Sequence, residues 1–267
     1  MRRDALVHKI SGVLSADHRV RGAWLSGSLG RGDADAYSDV DVWAAVHEND
    51  RDAFIEDWPT IAARIAPYVL NDQLGTLPVF NVVTKEWRRF DLAIGTIDEA
   101  ANRTRSTMMK LFDKDKLEAR FQESGVPLLP DPAVVAKTVK EFFRVLGLLP
   151  VVCGREEYSV AVSGAGLLRT MIIQLMREDV AAEDRGGALH LKQLLPAERY
   201  AAIAALPPIV SDRESAISVH RACAEIFLPL ARDLSDRVGN DWPQALEDAC
   251  RAHLKRELGI RLPGARP

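Results

Sequence analysis

No apolar run in this 267-residue chain approaches the roughly 20 residues that a membrane-spanning helix needs. The opening Met-Arg-Arg-Asp-Ala-Leu-Val-His also lacks the continuous apolar stretch of a secretory signal. Cysteine is scarce. Cys153, Cys223 and Cys250 are odd in number, far apart and without CxxC or paired Cys/His spacing, which argues against a zinc site or a disulfide framework and for buried free thiols. Together these absences set the cytoplasm as the expected compartment. Basic charge is not in excess either. A net charge of -3 gives no global electrostatic reason to hold DNA or RNA, while a local basic cleft for a nucleotide remains compatible with it. Three phosphate and cation motifs are missing: Asp33 follows Gly32 where a P-loop needs Lys-Ser/Thr, the glycine order is GxxGxG and not GxGxxG, and no twelve-residue calcium loop ends in Glu. No repeat or low-complexity segment is visible.

What is present is an ordinary folded composition, 47% hydrophobic and 27% charged, in a length that suits one large domain or two small ones. Leu6, Val7, Ile10, Val13 and Leu14 fall at helical spacing and open the chain. Gly22–Ser26 reads as a strand, Gly27–Asp33 as a glycine-rich turn, Ser38–Val46 as a second strand, and Asp52–Ile65 as a helix. Val79–Val83 and Arg89–Ile94 read as a hairpin. Strand signals fade after about residue 105, and Pro127, Pro130 and Pro132 punctuate the chain, with Asp131 placed to cap a helix that starts at Pro132.

The remainder reads as helices. Val135, Val139, Phe142, Phe143 and Leu146 form one apolar face, and Leu167, Leu168, Met171, Ile172, Leu175 and Met176 another. Helices also follow Pro196, Arg213 and Trp242-Pro243; the second carries Pro229, where a bend is expected. The tail from Gly259 reads as loose.

The chemistry concentrates between Gly27 and Asp41. Asp39 and Asp41 sit two apart, so on a strand both carboxylates face the same way, while Val40 and Val42 face a core. Two like charges side by side repel, and a divalent cation makes the pair favourable; magnesium commonly joins one or two carboxylates to substrate phosphates. Asp91, flanked by Phe90 and Leu92, repeats the pattern. If its strand neighbours the first, at the usual spacing of about 4.8 Å, three carboxylates converge on one or two cations. Upstream, the glycines of Gly27–Gly32 let backbone amides approach a phosphate, the Ser28 hydroxyl can donate to one, and Arg31 can neutralise one if it points inward.

Gly27-Ser28, Arg31-Gly32 and Ser38-Asp39-Val40-Asp41 together resemble the GS-x(9)-SDxD signature of the DNA polymerase β-like nucleotidyltransferase superfamily. The Arg-Gly-Asp-Ala-Asp variant is similar to its antibiotic-modifying members, the aminoglycoside and lincosamide nucleotidyltransferases. The resemblance implies an α+β architecture: a small mixed-sheet nucleotidyltransferase domain, drawn here as residues 1–105, then an all-helical bundle over 106–267 that closes over the acceptor, often within a dimer. It implies that Asp39 and Asp41 bind Mg2+, that Gly27 and Ser28 hold the triphosphate of an NTP (ATP being the commonest choice), and that Asp91 is the third carboxylate and, in some members, the general base. The implied reaction moves a nucleoside monophosphate to a hydroxyl of a small molecule, with antibiotic resistance as one outcome. A protein or RNA acceptor, or a non-catalytic nucleotide-binding role, are the competing readings.

Blander assignments stand beside these. Asp91 could pair with Arg88 or Arg89, and Arg31 could be a surface residue. Lys140, Glu141 and Arg144 read as a solvated helix face, or Lys140 reaches the triphosphate and Glu141 the acceptor. Glu156 and Glu157 suit a helix N-terminus. His190 and His220 read as structural, and Trp24, Trp43 and Phe90 as core.

Overall fold

The computed structural model describes residues 2–264. The chain divides into two compact units, one reaching Val126 and the other starting at Pro127. The first contains α1 (Arg3–Ala16), β1 (Val20–Leu25), α2 (Gly27–Arg31), β2 (Val40–Val46), α3 (Arg51–Ile65), β3 (Tyr68–Gln73), β4 (Val79–Thr84), β5 (Arg89–Thr96) and β6 (Met109–Asp113). The strands form one sheet in the order β3-β4-β5-β2-β1-β6. It is mixed: β2 and β5 run parallel and every other neighbouring pair antiparallel.

Side-chain period explains both faces of that sheet. On α1, Leu6, Ile10 and Leu14 recur every fourth residue; on α3, Phe54, Trp58, Ile61, Ala62 and Ile65 make a similar stripe. Both stripes pack on alternate strand residues, Val40, Val42, Ala44 and Val46 of β2 and Phe90, Leu92 and Ile94 of β5. The residues between them face the other way, where Trp24, Trp43, Ala45, Ala100, Leu117 and Phe121 form a second, smaller core.

The second unit is helical throughout its described residues: α4 (Pro132–Leu146), α5 (Leu149–Gly154), α6 (Tyr158–Glu178), α7 (Leu191–Leu194), α8 (Ala197–Ala204), α9 (Arg213–Arg237) and α10 (Gln244–Leu258). Asp131 caps α4 as read from the sequence, its carboxylate accepting from Ala133 N at 2.7 Å with Pro132 in the first turn. Phe142 and Phe227 stack across α4 and α9 with ring centroids 3.6 Å apart. α9 continues through Pro229.

Several expectations are corrected. β6 lies beyond residue 105 and pairs with β1, so residues 106–126 fold with the sheet and not with the helices. The short, lysine-bearing sequence of β6, Met-Lys-Leu-Phe-Asp, gives little strand signal of its own. β3, an edge strand with no alternation, was missed for the same reason. The glycine-rich turn is in fact the single helical turn of α2.

Leu167 is exposed and is not part of the α6 core stripe; the other five residues of that stripe are buried. α6 is long and apolar enough by composition to cross a membrane, but Ala161, Ala165, Leu168, Met171, Ile172, Leu175 and Met176 bury themselves in the helical core. The tail is docked up to Gly264. Ile260 and Leu262 are buried, and Arg251 donates to the carbonyls of Leu262 and Pro263, each at 2.7 Å. The anchor beneath it is the fully buried Glu247, which accepts from Arg232 (2.5 Å), Arg251 (2.7 Å) and Trp242 Nε1 (2.6 Å).

Candidate active site

Three in-register rows cross the outer face of the first unit's sheet. The lowest is Gly22, Ala45 and Gly95, on β1, β2 and β5. Small residues leave a hollow there, and two indoles fill it. A Cβ on Gly22 would lie 2.3 Å from the Trp24 ring, and one on Gly95 2.5 Å from Trp43 Nε1. The next row is Trp24, Trp43 and Ala93. The Trp24 and Trp43 rings lie 5.3 Å apart, with Phe121 5.0 Å from Trp24 and the Arg103 guanidinium 4.8 Å over Trp43. Both tryptophans belong to the core, as does Phe90 on the other face.

Above the tryptophans, the third row is Asp41, Asp91 and Asn81. Asp41 of β2 is the register partner of Asp91 of β5, and Asn81 of β4 partners Asp91 from the other side. Their neighbours Val40, Val42, Phe90, Leu92, Phe80 and Val82 are all buried in the opposite core. The apolar flanks therefore aim the polar side chains outward, as the alternation requires.

Gly27 begins α2 beside this row with φ +55°, in the left-handed region that favours glycine. Space demands glycine as well: a Cβ there would sit 1.9 Å from Asp41 Oδ2. Ser26 N donates to the Asp41 carbonyl at 2.9 Å, fixing the start of α2 against β2. Ser28 is 3% exposed, and its Oγ has no hydrogen-bond partner among the described residues. Such an atom usually has one. Arg31 ends α2, with its Nε on Asp33 Oδ2 at 3.1 Å.

Asp39 precedes the first residue of β2 and pairs with Arg89 Nη2 at 3.2 Å. The blander alternative paired Asp91 with Arg88 or Arg89; Arg89 makes its ion pair with Asp39. The Asp91 carboxyl is held above the usual carboxylate range, chiefly by burial. Repulsion from Asp39 adds to that, while a hydrogen bond from Asn81 and attraction to Arg89 oppose it. Among the described residues no three carboxylate, imidazole or thiol groups gather closely enough to hold a metal ion. Asp41 and Asp91 stand side by side, and Asp39 is drawn to Arg89.

Compared with known proteins, the chain matches the family model of streptomycin adenylyltransferases over residues 1–257. The chain belongs to the streptomycin adenylyltransferase family. It is a nucleotidyltransferase. Among solved structures, an aminoglycoside 6-adenyltransferase from Bacillus subtilis is similar at 16% identity, covering 95% of this chain and 98% of that one, with a TM-score of 0.45. A Thermotoga maritima CCA-adding enzyme complexed with tRNA is similar at 12% identity, covering 96% and 73%, with a TM-score of 0.36. No curated protein matches.

In this streptomycin adenylyltransferase family member the structure brings Gly27, Ser28, Asp41 and Asp91 into one neighbourhood, with Asp39 at its edge. Lys140 is in the second unit, exposed on α4, where Glu141 and Arg144 pair with each other at 2.5 Å. His220 is buried with Nδ1 2.7 Å from the Ala216 carbonyl, and His190 contacts Gln193, in keeping with structural roles. Asn81 was missed. Its signal was available, because Phe80-Asn81-Val82 repeats the apolar-polar-apolar pattern of Phe90-Asp91-Leu92.

Proposed function

We propose that this protein transfers AMP from ATP, with Mg2+, to a hydroxyl of an aminoglycoside-type antibiotic. One observation carries the reading: Asp41 and Asp91 stand in register on adjacent strands, with Gly27 packed against Asp41, in a chain of the streptomycin adenylyltransferase family. The buried, unpartnered Ser28 Oγ suits a phosphate. The acidic row beside them suits a hard cation with oxygen ligands. Asp41 and Asp91 would hold Mg2+, joined by Asp39 in exchange for Arg89. Bound there, the ion supplies charge neutralisation on the phosphates.

The chain's own groups do the rest. The backbone amides at Gly27 and Ser28 and the Ser28 hydroxyl orient the triphosphate, and Arg31 offsets its charge. Asp91 takes the proton from the acceptor hydroxyl. The acceptor oxygen attacks the α-phosphorus, the bond to the bridging oxygen breaks, and pyrophosphate leaves with that electron pair. Positioning and electrostatics carry most of the rate. The working form is a cytoplasmic homodimer.

The test is to incubate the protein with Mg2+, each labelled NTP and a panel of aminoglycosides, lincosamides and cell metabolites. Pyrophosphate release with ATP that depends on one aminoglycoside is expected. Release that depends on none of the acceptors, or transfer to protein or RNA instead, would overturn the assignment.

A further inference from the structure

The turn between β4 and β5 carries two costs that folding alone does not repay. Trp87 sits there with φ +60°, a backbone conformation that a bulky side chain rarely adopts, and its side chain is 76% exposed. The conformation is fixed by the hairpin: Trp87 N donates to the Thr84 carbonyl at 2.9 Å, and Thr84 N to the Arg88 carbonyl at 2.8 Å. Glycine would take this position without strain. A large aromatic ring, strained and left in water, stabilises nothing in the unit itself, and such strain clusters where a ligand is held.

Trp87 lines a cleft with Asp39, Tyr37, Arg3, Arg88 and Arg89. Tyr37 is a second exposed aromatic. Arg89 is paired with the one carboxylate of this lining, Asp39, and the guanidinium groups still outnumber it, which favours an anionic ligand over an amine-rich acceptor. Exposed rings beside cations suit a flat, π-faced group attached to phosphates. Of the two substrates, only the nucleotide has that chemistry.

We propose that Trp87 is the stacking platform for the nucleobase of the incoming nucleotide, with Arg3, Arg88 and Arg89 facing its anionic part. This rests on the nucleotide-transfer reading above. Stacking also tolerates different bases, so the platform sets affinity for NTPs in general and not a strict choice of ATP.

The test is calorimetric titration of the full chain with Mg2+-ATP and with Mg2+-tripolyphosphate, which lacks a base. In Trp87→Ala, ATP binding is expected to weaken about 10-fold, the size of one base-aromatic stack, with tripolyphosphate binding unchanged. Trp87→Phe should stay within about 3-fold of the parent for ATP, since a smaller ring keeps most of the stack. Trp87→Gly separates this role from a structural one: its melting temperature should equal or exceed the parent's while ATP binding falls as in Trp87→Ala. Unchanged ATP affinity in both small-residue variants, or an equal loss for tripolyphosphate, overturns the platform alone. No binding of either ligand by the parent protein overturns the transfer reading as well.

Discussion

Gly27 and Asp41 interlock: the position a Gly27 side chain would occupy is already held by the Asp41 carboxylate, 1.9 Å from the ideal Cβ. Gly27→Ala must therefore move the carboxylate or the start of α2. A loss of roughly 100-fold or more in transfer rate is expected, as for a 1 Å misplacement of a reacting group. Gly32→Ala is the control. Gly32 also has positive φ, +78°, but nothing lies within 4 Å of its Cβ position. It should cost about 1–2 kcal/mol in stability and leave the rate near that of the parent. Steady-state kinetics and denaturant melts on both variants check the pair.

Asp39→Asn and Asp41→Asn should each lower transfer by about 100-fold or more, in line with the several kcal/mol that charge neutralisation by a metal contributes. Circular dichroism should show the fold intact, since neither carboxylate is part of a core. Full activity in either variant would remove that aspartate from the proposed metal site.

Asp91 gives a pH signature with a definite sign. Its carboxyl pKa is raised in the folded chain, so between the ordinary carboxylate value and the folded value the native state binds more protons than the unfolded one. Stability from this group is fully present below the unfolded pKa and is lost as pH rises through the folded pKa. Asp91→Asn abolishes that loss. In the absence of metal and nucleotide it should melt higher than the parent at pH 7 and show no such advantage near pH 3, while being inactive. Thermal melts across pH 3 to 8 decide it; a variant less stable at pH 7 would contradict the raised pKa.

Glu247 is fully buried among Arg232, Arg251 and Trp242. Glu247→Ala leaves two arginines without their carboxylate and should cost about 3–5 kcal/mol. Because Arg251 also holds the carbonyls of Leu262 and Pro263, the tail should become accessible to protease in the same variant. Urea denaturation and limited proteolysis measure the two effects.

The three thiols are all buried, and burial pushes Cys223 and Cys250 up to about 11 and raises Cys153 as well. Thiolate is the reactive form. A disulfide reagent at pH 7.5 should modify the native chain slowly and reach all three only in denaturant.

The sequence made the site more legible than the fold's edges. Alternation placed Asp41 and Asp91 on one face, because Val40, Val42, Phe90 and Leu92 are apolar enough to declare where the core is. Register between those strands is a tertiary property, and no spacing along the chain encodes it. Asp39 shows the limit: its carboxylate turns to Arg89, an ion pair 50 residues away that pattern reading offered only as an alternative for Asp91. β3 and β6 are edge strands, held by one neighbour each and by little alternation, so local signals pointed to loop. The tail from Gly259 reads as loose, and what docks it is Arg251 on its carbonyls and the burial of Ile260 and Leu262.

The hollow formed by Gly22, Ala45 and Gly95 has a mechanical corollary. With two indoles wedged into it, the strands beneath Asp41 and Asp91 cannot slide or flex without ejecting a ring. The carboxylates are thus anchored like teeth in bone. Whatever binds there must fit the spacing that this wedge sets.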